Sequence, residues 1–232
     1  GWEEGGLSFD TTLHLGTLTA LLVYFFSEVR NMTVSFLGDL NSGFKKARDS
    51  TKLLFWLVVA TVPAGVVGLL LEDWIGSKFR SISSVAVFLL LGSFLMYLAD
   101  KFVKKGSERA SFKNIFVMGL FQCLALFPGF SRSGATISGG LLIGYSREFS
   151  AKISFLLSIF VIAAAGISQL PAAFSQFSGQ NILVLVVGFL SSASAGYFSV
   201  YALLKYLKKS SLKIFIVYRL LLAVFLVFLH FF

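Results

Sequence analysis

The chain has 232 residues, 56% of them apolar and only 13% charged, with a mean hydropathy of +0.85. A water-soluble globule is excluded, because a core of this size cannot hide so much apolar surface; lipid is the solvent. The net charge of +9 does not point to nucleic acid, since the basic residues sit in short loops between apolar stretches, as positive-inside bias requires.

The sequence opens Gly1-Trp2-Glu3-Glu4. With no initiator Met and no signal-peptide pattern, the N-terminus is expected to be processed or the chain to be a fragment. The first apolar span is Phe9 to Phe26. Asp10 and His14 lie near its start, four residues apart and so on one helix face. A local hydrogen-bonded pair near the outer surface is expected there, ahead of a ligand pair or a base with its orienting carboxylate. A polar loop, 27–52, carries Arg30, Lys45, Lys46, Arg48 and Lys52. The second span, Leu53 to Leu71, contains Pro63, Gly65 and Gly68. A short connection, 72–80, leads to the third span, Ser81 to Ala99, and then to a basic loop, 100–113.

Residues 114–145 differ from the rest. The apolar run Ile115 to Phe127 is too short to cross the ~30 Å hydrocarbon layer comfortably at about 1.5 Å per residue. The single Cys123 lies in this run, where packing is its expected role; one cysteine excludes an internal disulfide and a multi-cysteine metal site. The run breaks at Pro128-Gly129-Phe130-Ser131-Arg132-Ser133-Gly134-Ala135-Thr136, and a second short run, Ile137 to Tyr145, follows. Three further spans are expected at about 153–174, 182–204 and 212–232. Gly188, Ser192 and Gly196, four apart, mark a face for close helix packing. Arg219 is expected to snorkel or to pair with a helix end, a substrate role being the lesser reading, and His230 to be interfacial.

Loops 27–52, 100–113 and 205–213 hold five, five and four Lys or Arg, against two in 72–80 and none in 175–181. The rich loops should be cytoplasmic. Parity then requires 114–145 to leave and return on one face, as a re-entrant hairpin whose tip reaches toward the middle of the bilayer. The competing reading, one long kinked span, would force a basic loop outside. The expected fold is an all-α integral membrane protein, a single polytopic domain over 1–232 with six transmembrane helices plus one re-entrant helical hairpin.

Irregular backbone at membrane depth is tolerated only where protein or a wet cavity satisfies its polar groups. The break should therefore line a polar cavity, with Arg132 among the hydroxyls of Ser131, Ser133 and Thr136 just before a helix start. Gly129 and Gly134 permit close backbone approach, the helix N-terminus offers unpaired N–H groups, and a guanidinium fork matches phosphate oxygens. These parts make an anion site, most simply for phosphate. The bland alternative is a capped helix break with Arg132 reaching a carbonyl or the surface. Gln122, six residues before the break, is expected to bond either the hairpin or a ligand.

The string from Phe121 to Gly140, with its PGxSRSxxT core, resembles the signature of the undecaprenyl-diphosphate phosphatases, the bacitracin-resistance family. The similarity continues through Ser146-Arg147, Phe155-Leu156-Leu157, the opening Phe9 to Gly16 and Tyr218-Arg219. The resemblance implies inverted repeats with two hairpins. Residues 1–113 would be a first repeat lacking its hairpin, and 114–232 a second repeat with hairpin 114–145. The family's glutamate-rich motif, running into Pro, a Ser run and a Gly-His pair, would precede Gly1. All eleven acidic residues present lie in loops or at helix edges, so binding and charge stabilisation are legible while a general base is not.

The activity implied is hydrolysis of undecaprenyl (polyprenyl) diphosphate to the monophosphate and phosphate, recycling the cell-wall carrier lipid in the bacterial plasma membrane. Arg132 would grip the diphosphate. Ser131, Ser133 and Thr136 would donate hydrogen bonds, one hydroxyl serving as nucleophile, and Gly129, Gly134 and Gln122 would contact substrate. A divalent cation, Mg2+ or Ca2+, is implied, with no ligands readable in this chain. The implied partners are the lipid diphosphate, the bilayer and a second copy in a homodimer. A lipid flippase or transporter of the same architecture, and a non-catalytic phosphate-lipid binder, are the other classes that fit the sequence; the chain without the glutamate motif would be inactive.

Overall fold

A computed structural model describes residues 6–44, 46–103, 106–176 and 182–231. Among the described residues the chain forms nine α-helices and no strand: α1 (Gly6–Tyr24), α2 (Phe26–Asn41), α3 (Asp49–Lys78), α4 (Ile82–Phe102), α5 (Phe112–Phe121), α6 (Arg132–Leu142), α7 (Arg147–Gln176), α8 (Ile182–Leu207) and α9 (Lys213–Phe231). The six expected spans fall on α1, α3, α4, α7, α8 and α9. Four stretches are long and apolar enough to cross a membrane: Asp49–Leu71, Ile82–Phe102, Arg147–Ser168 and Ile182–Leu207. Phe9–Tyr24 with Phe26–Asn41 makes a fifth only if a pair bent by 80° is one span. Large side chains such as Leu69 (84% exposed) and Leu70 (75%) stand outward on α3. Water would penalise such a surface and hydrocarbon does not, so the outward apolar face is what a lipid-embedded helix requires.

Helix α2 corrects the expectation of a polar loop over 27–52. Met32, Phe36 and Leu40, four residues apart, give one apolar stripe, which Glu28 continues toward the N-terminus, while Arg30 and Asn31 lie off it. The helix ends at a buried carboxylate, Asp39, which accepts hydrogen bonds from Thr51 Oγ1 (2.5 Å), the Arg48 backbone N–H (2.9 Å) and Arg48 Nε (2.8 Å). The Thr51 hydroxyl, the Arg48 amide and the Arg48 charge together hold this carboxyl below the usual carboxylate range, burial opposing them.

The chain divides into two compact units interleaved in sequence, 1–52 with 158–205, and 53–157 with 206–232. In the first, α1 packs on α8 through small residues. Ser192 Oγ donates to the Leu13 carbonyl (2.7 Å) and lies 3.0 Å from Thr17 Oγ1. A β-carbon on Gly16 would strike the Phe189 carbonyl at 2.7 Å, and one on Gly188 would meet Phe9 at 2.8 Å. The Gly188-Ser192-Gly196 face is thus a close-packing seam, as its spacing indicates.

In the second unit, α4 lies against α6 and α9. Residues 106–146 form a helical hairpin whose two ends are tied together. Ser107 N–H donates to the Gly144 carbonyl (2.8 Å), Ser146 N–H to the Ser107 carbonyl (3.2 Å), and Ser111 N–H to the Tyr145 hydroxyl (3.2 Å). Arg147 Nε pairs with Asp100 Oδ1 at 2.6 Å, fixing the same base to the end of α4. Helices α5 and α6 have 10 and 11 residues, about 15 and 16 Å at 1.5 Å per residue, each near half the hydrocarbon thickness. The segment returns to where it started, which a single kinked span cannot do.

The tip lies toward the far end of α4 from the hairpin's base. The Phe127 ring lies 5.4 Å from that of Phe79 and 4.7 Å from that of Phe88, so the break sits at the α3–α4 connection and the first turns of α4. A β-carbon on Gly129 would meet the Val85 carbonyl at 2.5 Å. From Val85 to Asp100 along α4 is about 22 Å at 1.5 Å per residue, so the hairpin runs along most of the length of that helix. The 3₁₀ turn Gln122–Leu126 lets it do so, extending the descending limb beyond α5 at about 2 Å per residue.

Candidate active site

The tip is built by three local devices. The 3₁₀ turn tightens the end of α5, and Pro128 has no N–H to continue it. Gly129 then takes φ +96°, a conformation and a space that both exclude a side chain. Ser131 follows with φ +78° and ψ +117°, a strained conformation for a residue with a β-carbon. Ser131 is also the N-cap of α6, its Oγ accepting the Gly134 N–H at 3.2 Å. Strain of about 1–3 kcal/mol at one hydroxyl-bearing residue persists only where the surroundings over-determine it.

Arg219 supplies that determination. It is 8% exposed, and its Nη2 donates to the carbonyls of Gly129 (2.9 Å), Phe130 (3.0 Å) and Leu89 (3.2 Å), while Nε donates to Ser93 Oγ (3.2 Å). A β-carbon on Gly92 would lie 2.5 Å from both Arg219 Nη2 and the Phe130 oxygen, so α4 must be bare there for the guanidinium to reach the loop. The expected snorkelling of Arg219 does not occur. Its carbonyl-binding role was half visible as pairing with a helix end, but nothing in the sequence connects α9 to a loop 89 residues away.

Arg132 opens α6 and is half-buried. Among the described residues its guanidinium makes no hydrogen bond and no ion pair. Ser133 is also half-buried, and its hydroxyl is without a partner among the described residues. Thr136 differs, being fully buried: its Oγ1 donates to the Arg132 carbonyl (2.9 Å) and lies 2.5 Å from Ser154 Oγ on α7. Gly134 is buried beneath the cap, 3.1 Å separating its would-be β-carbon from Met96 Sδ. Gln122 is 2% exposed, and neither its Nε2 nor its Oε1 has a partner, so it does not bond the hairpin.

The family model described as bacitracin resistance protein BacA matches residues 1–225. The chain belongs to this family. It is 39% identical over 222 residues to a protein of Geotalea daltonii, covering 94% of this chain and 82% of that one. It is 36% identical over 237 residues to one of Chloroherpeton thalassium (97% and 84%) and 40% identical over 225 residues to one of Geobacter metallireducens (95% and 83%). All three are named undecaprenyl-diphosphatase.

Asp10 and His14 are both exposed, with no hydrogen bond or ion pair joining them among the described residues. The side chain of His230 lies outside the described residues. Asp100 is paired with Arg147, Glu148 with Lys208 and Asp49 with Lys52, and Glu108 accepts from Ser146 Oγ at 3.4 Å. Among the described residues no three His, Cys, Asp or Glu side chains gather to hold a metal ion. A divalent cation does not fit the break as these residues build it: the donors there are hydroxyls and carbonyls, and the charge is a guanidinium.

Proposed function

We propose that the protein hydrolyses undecaprenyl diphosphate to undecaprenyl phosphate and inorganic phosphate in the bacterial plasma membrane. The observation that carries the reading is the half-buried Arg132 guanidinium, without a protein partner among the described residues, on the first turn of a helix whose cap, Ser131, is strained. A cation free of protein anions beside unpaired helix N–H groups favours an anionic ligand. The names of the relatives supply the substrate.

The net reaction breaks the bond between the terminal phosphorus and the bridging oxygen, which stays with the lipid; water oxygen ends on the released phosphate. Arg132 would neutralise charge on the terminal phosphoryl oxygens as that bond opens, and the first N–H groups of α6 would add fixed dipoles. Ser131 is the hydroxyl we assign to the reacting phosphorus, because its backbone is held in strain at the tip. Ser133 would donate to a phosphate oxygen. Thr136, whose hydroxyl is already engaged with Arg132 and Ser154, would set the height of the first turn. Gly129, Gly134 and Gln122 would shape the pocket wall. Mg2+ or Ca2+ would require ligands other than the described residues of the break.

By the charge of its loops, the α3–α4 connection faces outside, so the headgroup would be gripped at the outer leaflet and the hairpin base would lie at the cytoplasm. Residues 1–113 and 114–232 would be the two halves of an inverted repeat, with homodimers as a further assembly.

Phosphate release from the C55 lipid diphosphate by the full-length protein in detergent tests the assignment. Release that Arg132→Ala reduces at least about a hundredfold supports it. Flux of uncleaved lipid across vesicles with no phosphate release would replace it with a transporter.

A further inference from the structure

A third guanidinium stands near the tip. Arg80 closes the α3–α4 connection, is exposed, and makes no hydrogen bond or ion pair among the described residues. It lines a cavity of about 330 Å³ with Gly68, Ile75, Gly76, Ala125, Leu126 and Pro128. One wall is α3 and the other is the end of the hairpin's descending limb, up to the proline that opens the break. The cavity is small for a ligand site and apolar except at one end. Gly68 and Gly76 keep its α3 wall bare: a β-carbon at 68 would reach 3.5 Å from Leu126 Cδ2, and one at 76 would come 3.6 Å from the Arg80 guanidinium.

The rim holding Arg80 is braced. Phe79, the preceding residue, packs edge-on against Trp74 (5.2 Å), Phe88 (5.5 Å) and Phe127 (5.4 Å), so the aromatic cluster that fixes the hairpin tip also fixes the start of the Arg80 side chain. From Gly68 to Gly76 the groove follows α3 for about 12 Å at 1.5 Å per residue. Leu69 and Leu70, next to Gly68 in sequence, stand outward on α3.

We propose that this groove is the seat of the lipid diphosphate's proximal end. Arg80 binds the phosphate nearer the lipid, and the first isoprene units lie between α3 and the hairpin before the tail enters the bilayer. Charge complementarity at one end and apolar walls leading to lipid define an occupant that is anionic at its head and hydrocarbon behind. The inference rests on the phosphatase reading for its substrate but predicts binding, which is measured separately from turnover.

The test uses the full-length protein in phosphatidylcholine nanodiscs, titrated with farnesyl diphosphate, farnesol and inorganic diphosphate. Arg80→Ala is expected to weaken farnesyl diphosphate about tenfold, as loss of a charge-assisted contact does, while leaving farnesol unchanged. Gly68→Leu, which fills the apolar end, is expected to weaken farnesyl diphosphate and farnesol but not inorganic diphosphate. Arg80→Lys should recover part of the loss. Binding of farnesyl diphosphate within twofold of wild type in both Arg80→Ala and Gly68→Leu overturns the proposal. So does its abolition when phosphatidylglycerol replaces phosphatidylcholine, which would mark the groove as a site for bulk anionic lipid. Binding with this pattern but no phosphate release would sink the phosphatase reading and leave the groove assignment standing.

Discussion

Arg219 on α9 holds the carbonyl oxygens of Gly129 and Phe130 at 2.9 and 3.0 Å through one nitrogen, Nη2. Those carbonyls immediately precede Ser131, whose φ of +78° they help to impose. The charged side chain nearest the chain's end thereby shapes the turn that presents Arg132. Two arginines divide the work at this tip: one is saturated by protein oxygens, the other is left open.

The division predicts opposite mutational signatures. Arg219→Ala leaves carbonyls at Leu89, Gly129 and Phe130 without their donor, each worth about 1–3 kcal/mol if it stays buried and unpaired. A fall of about 2–5 kcal/mol in stability against denaturant in detergent is expected, along with lower kcat. Arg219→Lys, a compact charge without the planar fork, should recover only part of either. Unchanged melting of Arg219→Ala would contradict the brace.

Arg132→Lys should behave the other way. The native guanidinium makes no bond to protein among the described residues, so the thermal midpoint should move little. Phosphate release should fall by about tenfold or more, because a point charge cannot match two phosphate oxygens at once. Melting curves and initial rates on the same preparation separate the two effects.

Gly129→Ala and Ser131→Gly probe strain. An added methyl at 129 meets the Val85 carbonyl at 2.5 Å and a φ of +96°, and should cost about 2–4 kcal/mol. Ser131→Gly relieves the positive φ while losing the cap, which glycine replaces at a cost of only a few tenths of a kcal/mol. Stability should therefore hold or rise while activity drops. A Ser131→Gly protein that is less stable than wild type would show that the serine serves folding rather than chemistry.

Asp39 sets an acid limit for the α2–α3 connection. Its carboxyl is held below the usual range in the folded chain, first by the Thr51 hydroxyl. The folded state therefore binds the proton less readily than the unfolded one. The stabilisation is fully present above the ordinary carboxylate pKa and is lost as pH falls through the depressed folded value. Asp39→Asn should flatten that acid dependence, read as midpoint against pH below neutrality.

Binary pattern and charge settled much in advance. A membrane-embedded helical chain, the placement of its apolar spans, and a segment over 114–145 that must turn back follow from the ~30 Å thickness of hydrocarbon and from counting basic residues in loops. The Pro128-Gly129 break and Arg132 stood out because irregular backbone and charge are both expensive in lipid. Helix α2 was obscured because its apolar stripe of Met32, Phe36 and Leu40 is diluted by Glu28, Arg30 and Asp39, which read as loop.

Only the tertiary structure decided how far the hairpin reaches along α4 and what supports it. That reach depends on a 3₁₀ turn whose rise composition does not encode, and on aromatic packing between Phe127, Phe79 and Phe88. The meeting of Arg219 with Gly129 joins residues far apart in sequence, and no local propensity carries that information. Sequence by itself determined the solvent, the helices and the place of the break, since these follow from short-range periodicity and from the cost of polar groups in lipid. Which arginine would be buried in carbonyls and which left open for an anion was decided by packing, because a guanidinium takes whatever oxygens the fold brings within reach.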